Sequence, residues 1–199
     1  MRKLLPDEMD SWYKENLSAD FPVNEIKPLD NIKKLNRDGR YDIYVYEVEG
    51  RICGYATIWK RSGFKTYLLD YLGVPENMRN KGTGKVILAQ IREQLVLEEN
   101  KPDLCMILES ETPEDINNEV NNLRRRRTGF YKRNGFIEIY EMGTCGVRFT
   151  TFSYKYPPED LERTMKEHKL IYGYEREDVI VPLAPGVIPP LPFWMKEEV

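Results

Sequence analysis

The segment from Tyr67 to Leu97 constrains this chain more than any other. It reads as an apolar strand, Tyr67 to Val74, then a short turn. The run Arg79-Asn80-Lys81-Gly82-Thr83-Gly84 follows, and then an amphipathic helix. Ile87, Leu88, Ile91 and Leu95 fall on one face of a 3.6-residue period, and Asn100 and Pro102 stop the helix. A strand that feeds a glycine-bearing loop at a helix start is suited to binding phosphate. Glycine lets the backbone approach an anion, and the first N–H groups of the helix point at it. Arg79, Lys81 and Lys85 add favourable charge. The run matches neither G-x-x-x-x-G-K-[ST] nor G-x-G-x-x-G; it is R-x-x-G-x-G. Taken alone it is equally compatible with an ordinary Gly-rich turn.

A second segment narrows the choice. Phe130-Tyr131-Lys132-Arg133-Asn134-Gly135-Phe136 closes a helical stretch and opens a strand. Gly135 suits a helix end, and Phe136 to Tyr140 alternates as a strand does. Together R-x-x-G-x-G and F-Y-x-x-x-G-F, in this order and context, resemble the GNAT superfamily of N-acetyltransferases. The resemblance spans roughly Asp42 to Tyr154. It implies an α/β fold, with a central mixed sheet of about six or seven strands flanked by helices, and here a C-terminal extension. It also implies acetyl-CoA as cosubstrate and direct attack of a primary amine on the thioester.

The composition fits one core domain. The chain has 199 residues, 41% apolar and 32% charged, and a net charge of −3. That balance disfavours nucleic acid as a partner, and no apolar run is long enough for a membrane span. The N-terminus turns acidic too quickly for a secretory signal. Cys53, Cys105 and Cys145 form no C-x-x-C, which points to a reducing cytoplasm, with Cys53 and Cys105 buried in strands. A zinc site would lack ligands, and a His-based triad would have to use His168, the single histidine.

Other elements are read from pattern. Met1 to Leu5 is a short strand candidate; Asp7 to Asn16 and Leu29 to Asn36 are helix candidates. Asp42 to Glu49 and Ile52 to Lys60 form a hairpin around Glu49-Gly50. Asp103 to Glu109 is a buried strand, Asp115 to Arg133 a long helix, and Gly146 to Tyr156 a last strand. The domain reading is 1–156 for the acetyltransferase core and 157–199 for an extension. In the extension, Glu159 to Leu170 is a helix with Leu161, Met165 and His168 in a stripe. The proline-rich run Val181 to Trp194 is expected to lie extended on the body or on a partner subunit, with a homodimer one such assembly.

The resemblance also carries site residues. The backbone of Arg79, Asn80, Lys81, Gly82, Thr83 and Gly84, with Lys85, would hold the pyrophosphate. Leu72, Gly73 and Val74 would meet the pantetheine, with a backbone N–H near Val74 at the oxyanion. Tyr131 would protonate the leaving thiolate, since a phenol with a pKa of about 10 keeps its proton at neutral pH. The alternative for Tyr131 is a core aromatic. A glutamate that some members carry on the fourth strand is replaced here by Leu68. Asp70, Glu109 and Glu25 remain as candidate bases, each with a structural ion pair or a water-facing position as the competing reading. Arg124 and Arg127 stand where many members have Asn and Ala, and could meet a phosphate or an acidic substrate. A solvated face paired with Glu114, Asp115 and Glu119 is the alternative. The acceptor, a small molecule or peptide amine, would be met by Asp7 to Arg40 and Glu141 to Val147. Rival functions are transfer of another acyl group, a non-catalytic acyl-CoA sensor, and a nucleotide-binding domain.

Overall fold

The structure is a computed structural model that describes residues 1–23 and 25–192. Phe193 and Trp194, at the end of the expected extended tail, lie outside the described residues. The chain divides into two compact units, Met1–Leu104 and Cys105–Val199.

The first unit holds four strands, β1 (Arg2–Lys3), β2 (Tyr41–Val48), β3 (Arg51–Trp59) and β4 (Thr66–Gly73). They pair antiparallel in that order. Glu49 and Gly50 both take positive φ, the geometry of a two-residue hairpin turn whose twist matches the strands. Ahead of β2 lie α1, residues 6–20, and α2 (Leu29–Arg37). α1 opens on a 3-10 turn at Pro6–Glu8, widens to a π turn at Tyr13–Leu17, and buries Met9, Trp12 and Leu17. α3 (Thr83–Glu99) follows β4. Its buried side chains include Ile87, Leu88, Ile91 and Leu95, the face predicted by periodicity. Each contributes about 1.5–3 kcal/mol relative to exposure.

The β3–β4 pairing is irregular between Ala56 and Ile58. There the Tyr71 N–H donates to the Thr57 hydroxyl at 2.9 Å. Tyr55 faces Gly73 across the pair, and a Cβ on Gly73 would fall inside the Tyr55 ring. Gly54 is equally confined, with a Cβ position 2.5 Å from Ile87 Cδ1 on α3. These two glycines let β3, β4 and α3 close up at the end of β4 that leads to the loop.

The second unit holds β5 (Cys105–Glu111), β6 (Phe136–Thr144) and β7 (Val147–Tyr154). β7 pairs antiparallel with both others. α4 (Glu119–Arg133) begins four residues later than the pattern predicts, because the Asn118 side chain caps it by accepting from Asn121 N at 2.8 Å. α5 (Leu161–Tyr172) is capped by Asp160. Its predicted stripe is corrected: Leu161 is exposed, and Thr164, Glu167, His168 and Ile171 are buried. Cys53 and Cys105 are also corrected, both being only half-buried.

Residues 178–192 run along the β6–β7 hairpin. Ile180 and Gly143 exchange backbone hydrogen bonds, Leu183 N donates to Glu141 O at 2.8 Å, and Gly146 N donates to Pro190 O at 3.2 Å. Asp178 pins the hairpin turn, accepting from Thr144 Oγ1 at 2.7 Å and from both Nε and a terminal nitrogen of Arg176. No helix among the described residues is long and apolar enough to cross a membrane.

Candidate active site

The glycine loop leaves the start of a helix open. A 3-10 turn (Glu76–Met78) leads into Asn80 at φ 61° and Gly82 at φ 84°, and Gly82 is the N-cap of α3. No side chain caps this helix, in contrast to α4 and α5. Its first N–H groups therefore face outward, unpaired within the helix. Asn80, Lys81, Gly82 and Lys85 are exposed, Gly84 is half-buried, and a Cβ at Gly82 would meet nothing within 4 Å. Thr83 is different: its side chain is buried, with the hydroxyl 3.4 Å from Met78 O. The arrangement fits a diphosphate, which needs donors, positive charge and room.

Arg79 sits apart from that group. Its Nε donates to Val74 O at 2.9 Å, and a terminal nitrogen pairs with Asp20 at 3.0 Å. The guanidinium ties the loop to the end of β4 and to α1. Val74 O, one of the expected pantetheine partners, thus already accepts one hydrogen bond. Leu72 is half-buried, and Gly73 is buried at the close of β4.

Asp70 is committed to an ion pair. Lys27 Nζ reaches both its oxygens at 2.8 Å, and the Tyr41 hydroxyl donates to Oδ2 at 2.5 Å. The ammonium also lies over the Trp59 and Tyr71 rings, 4.8 and 5.0 Å from their centroids. This cluster anchors the loop before α2. Glu25 lies in that loop, exposed, and its backbone carbonyl accepts from the Tyr71 hydroxyl at 2.9 Å. Its carboxylate has no hydrogen bond or ion pair among the described residues.

Tyr131 lies on the last turns of α4, in van der Waals range of Phe130, Phe136 and Phe152. Its hydroxyl makes no hydrogen bond among the described residues. Burial pushes the phenol above its ordinary pKa, with the Arg127 guanidinium one turn earlier pulling the other way. The proton is therefore held at neutral pH and is not committed to another group.

The arginine run splits by position. Arg124 is paired, with Nε 2.5 Å from Glu111 and a terminal nitrogen 3.0 Å from Glu114. Arg125 donates to Glu114 O at 2.8 Å. Arg127 makes no hydrogen bond or ion pair among the described residues, and its charge acts on the Tyr131 phenol. A cleft of about 360 Å³ opens within this unit, with Glu114, Arg124, Val147, Arg148 and Val187 among its walls.

Glu109 stands on the opposite face of the β5–β7 pair from Tyr131. Tyr131 packs on Phe152, which is opposite Leu108, and Glu109 is the next residue along. The Glu109 carboxylate is 13% exposed. One of its oxygens lies 2.7 Å from His168 Nε2, and the other accepts from the Tyr172 hydroxyl at 2.7 Å. The other ring nitrogen of His168 is 2.9 Å from the Tyr140 hydroxyl. Pattern reading placed Glu109 and His168 separately and did not join them. The usable signal was the four-residue spacing of His168 and Tyr172, which puts both on one helix face.

Known proteins share this fold. The sequence profile of the family described as Acetyltransferase (GNAT) domain matches residues 39–138. No curated protein matches the chain. A solved structure placed in the GNAT family, from Bacteroides thetaiotaomicron, superposes with a TM-score of 0.65 at 21% identity, covering 86% of this chain and 97% of that one. An aminoglycoside 6'-N-acetyltransferase complexed with coenzyme A gives 0.55 at 11% identity, covering 78% of this chain and 93% of that one. A spermidine N-acetyltransferase from Vibrio cholerae gives 0.55 at 11% identity, covering 76% and 90%. At these identities the structural likeness establishes the fold.

Proposed function

Because the chain belongs to the GNAT acetyltransferase family and is an acyltransferase, we propose that it moves the acetyl group of acetyl-CoA to a primary amine. Attack is direct, in a ternary complex. The observation that carries this reading is the uncapped start of α3, with open space at Gly82 and the exposed Lys81 and Lys85 next to it in the chain. A diphosphate satisfies donors that no side chain of the helix cap does.

The residues divide the chemistry. The backbone from Asn80 to Gly84 takes the pyrophosphate, and Arg79 holds that loop in shape. Tyr131 gives its proton to the departing thiolate, and Arg127 eases the resulting phenolate. Glu109, on the opposite face of the β5–β7 pair from Tyr131, receives the proton of the attacking amine, which enters from that face while the thiolate departs on the Tyr131 side. We assign the base there because Asp70 is balanced by Lys27 and held by Tyr41. Glu25 lies exposed in a loop. Arg124 is a structural partner of Glu111 and Glu114 and leaves any phosphate contact to Arg127. The acceptor is a small-molecule or peptide amine, and three thiols outside any disulfide suit a reducing cytoplasm.

The test is thiol release from acetyl-CoA with a panel of polyamines, amino acids, peptides and aminoglycosides. One or more amines should raise the release well above the hydrolysis background. Tight acetyl-CoA binding with no acceptor-dependent release across the panel would point to a sensor instead.

A further inference from the structure

We propose that His168 and Tyr172, on α5, are positioning residues for Glu109, and that Tyr140 sets the tautomer through which His168 acts. The inference rests on the reading of Glu109 as the base. α5 lies beyond residues 39–138, the segment that the family profile matches.

Proton accounting supports it. With Glu109 ionised, one arrangement places every hydrogen in the group. Tyr172 donates to one carboxylate oxygen and His168 Nε2–H to the other. Nδ1 of the neutral ring then accepts from the Tyr140 hydroxyl. A protonated Glu109 donating to Nε2 would turn Nδ1–H toward Tyr140 and leave the Tyr140 proton without this acceptor. The same holds for an imidazolium.

Access differs sharply within the group. His168 is fully buried, so it cannot touch a substrate. Glu109 keeps some exposure. Its two hydrogen bonds use two of about four lone-pair sites on an ionised carboxylate, so the others can take a proton. In the step, an N–H bond of the amine breaks and an O–H bond forms on Glu109. His168 and Tyr172 fix the carboxylate plane while this happens.

The experiment compares Glu109→Gln, His168→Leu, His168→Gln and Tyr172→Phe in the full chain. For each, kcat, the KM values for acetyl-CoA and amine, and the melting temperature are measured. Glu109→Gln should lower kcat by about 10²-fold or more. His168→Leu should approach that loss, because a carboxylate misplaced by about 1 Å costs roughly 10²-fold. His168→Gln keeps a donor and should recover most of the rate. Tyr172→Phe, the smallest change, should lower kcat about tenfold, with KM for acetyl-CoA unchanged. Because the chain has one histidine, its imidazole ¹⁵N spectrum reports on His168 alone and needs no activity. It should show the proton on Nε2. A proton on Nδ1 would overturn the arrangement whatever the kinetics. Variants with lowered melting temperature but wild-type kcat would overturn the positioning role and leave acetyl transfer intact. Absence of transfer by the wild-type protein would instead sink the functional reading, and the proposal with it.

Discussion

At the scale of single residues, Tyr131 gives the sharpest expectation. Its ring is packed and its hydroxyl is unbonded among the described residues. Tyr131→Phe therefore removes a proton donor and almost nothing else. The melting temperature and acetyl-CoA affinity should match wild type. The single-turnover rate of acetyl transfer should fall by roughly 10²–10⁴. A rate within about threefold of wild type would take Tyr131 out of the mechanism. Gly82 offers a complementary test. Its Cβ position is open, so Gly82→Ala meets only the cost of a left-handed conformation, about 1–2 kcal/mol. Gly82→Asp adds negative charge where the pyrophosphate is proposed to sit. Calorimetric titration with acetyl-CoA should find binding kept in the alanine variant and lost in the aspartate one. Equal affinities would remove the loop from cofactor binding.

At the scale of elements, residues 178–192, a C-terminal strap, and the β6–β7 hairpin form one interlocked piece. Deleting residues 181–199 removes the hydrogen bonds to Glu141 and Gly146 and uncovers the site filled by Leu183, which is 4% exposed. The melting temperature should drop by several degrees, as scanning calorimetry would register. An unchanged value would make the strap dispensable to the fold. Asp178 adds a pH signature. The Arg176 guanidinium, with the Thr144 hydroxyl and Cys145 N–H, holds its carboxyl at about 2, against burial. A carboxylate with a lowered folded pKa stabilises above its unfolded pKa, near 3.8 here. That contribution, about 2 kcal/mol, fades as pH falls through 4 toward 2. Urea melts should put Asp178→Ala below wild type at pH 6, with the gap closing at pH 2–3. A gap of constant size would mean that packing, not charge, carries the effect.

At the scale of the whole molecule, the family reading predicts selective stabilisation by ligand. Saturating acetyl-CoA or CoA, at about 100 times Kd, should stabilise the full chain by about 2.7 kcal/mol, and ATP should do little. Thermal shift in parallel wells measures this directly. Stabilisation by ATP alone would favour a nucleotide-binding domain.

Much of the fold was legible in local pattern. Seven strands among the described residues stand where about six or seven were expected, and the face of α3 is the one its periodicity marks. Local pattern worked there because backbone pairing and amphipathic burial repeat at short range. The R-x-x-G-x-G and F-Y-x-x-x-G-F runs pointed to the acetyltransferase family, since each is a contiguous piece of backbone that makes its own geometry. The state of each side chain was another matter. Nothing in the order of residues says that Lys27 neutralises Asp70, that Arg79 is spent on Asp20, or that Arg124 closes on Glu111. The link from Glu109 to His168 spans 59 positions, and the strap meets the hairpin across about 40. Charges and hydroxyls act within a few ångströms, and only tertiary packing decides which of them come that close.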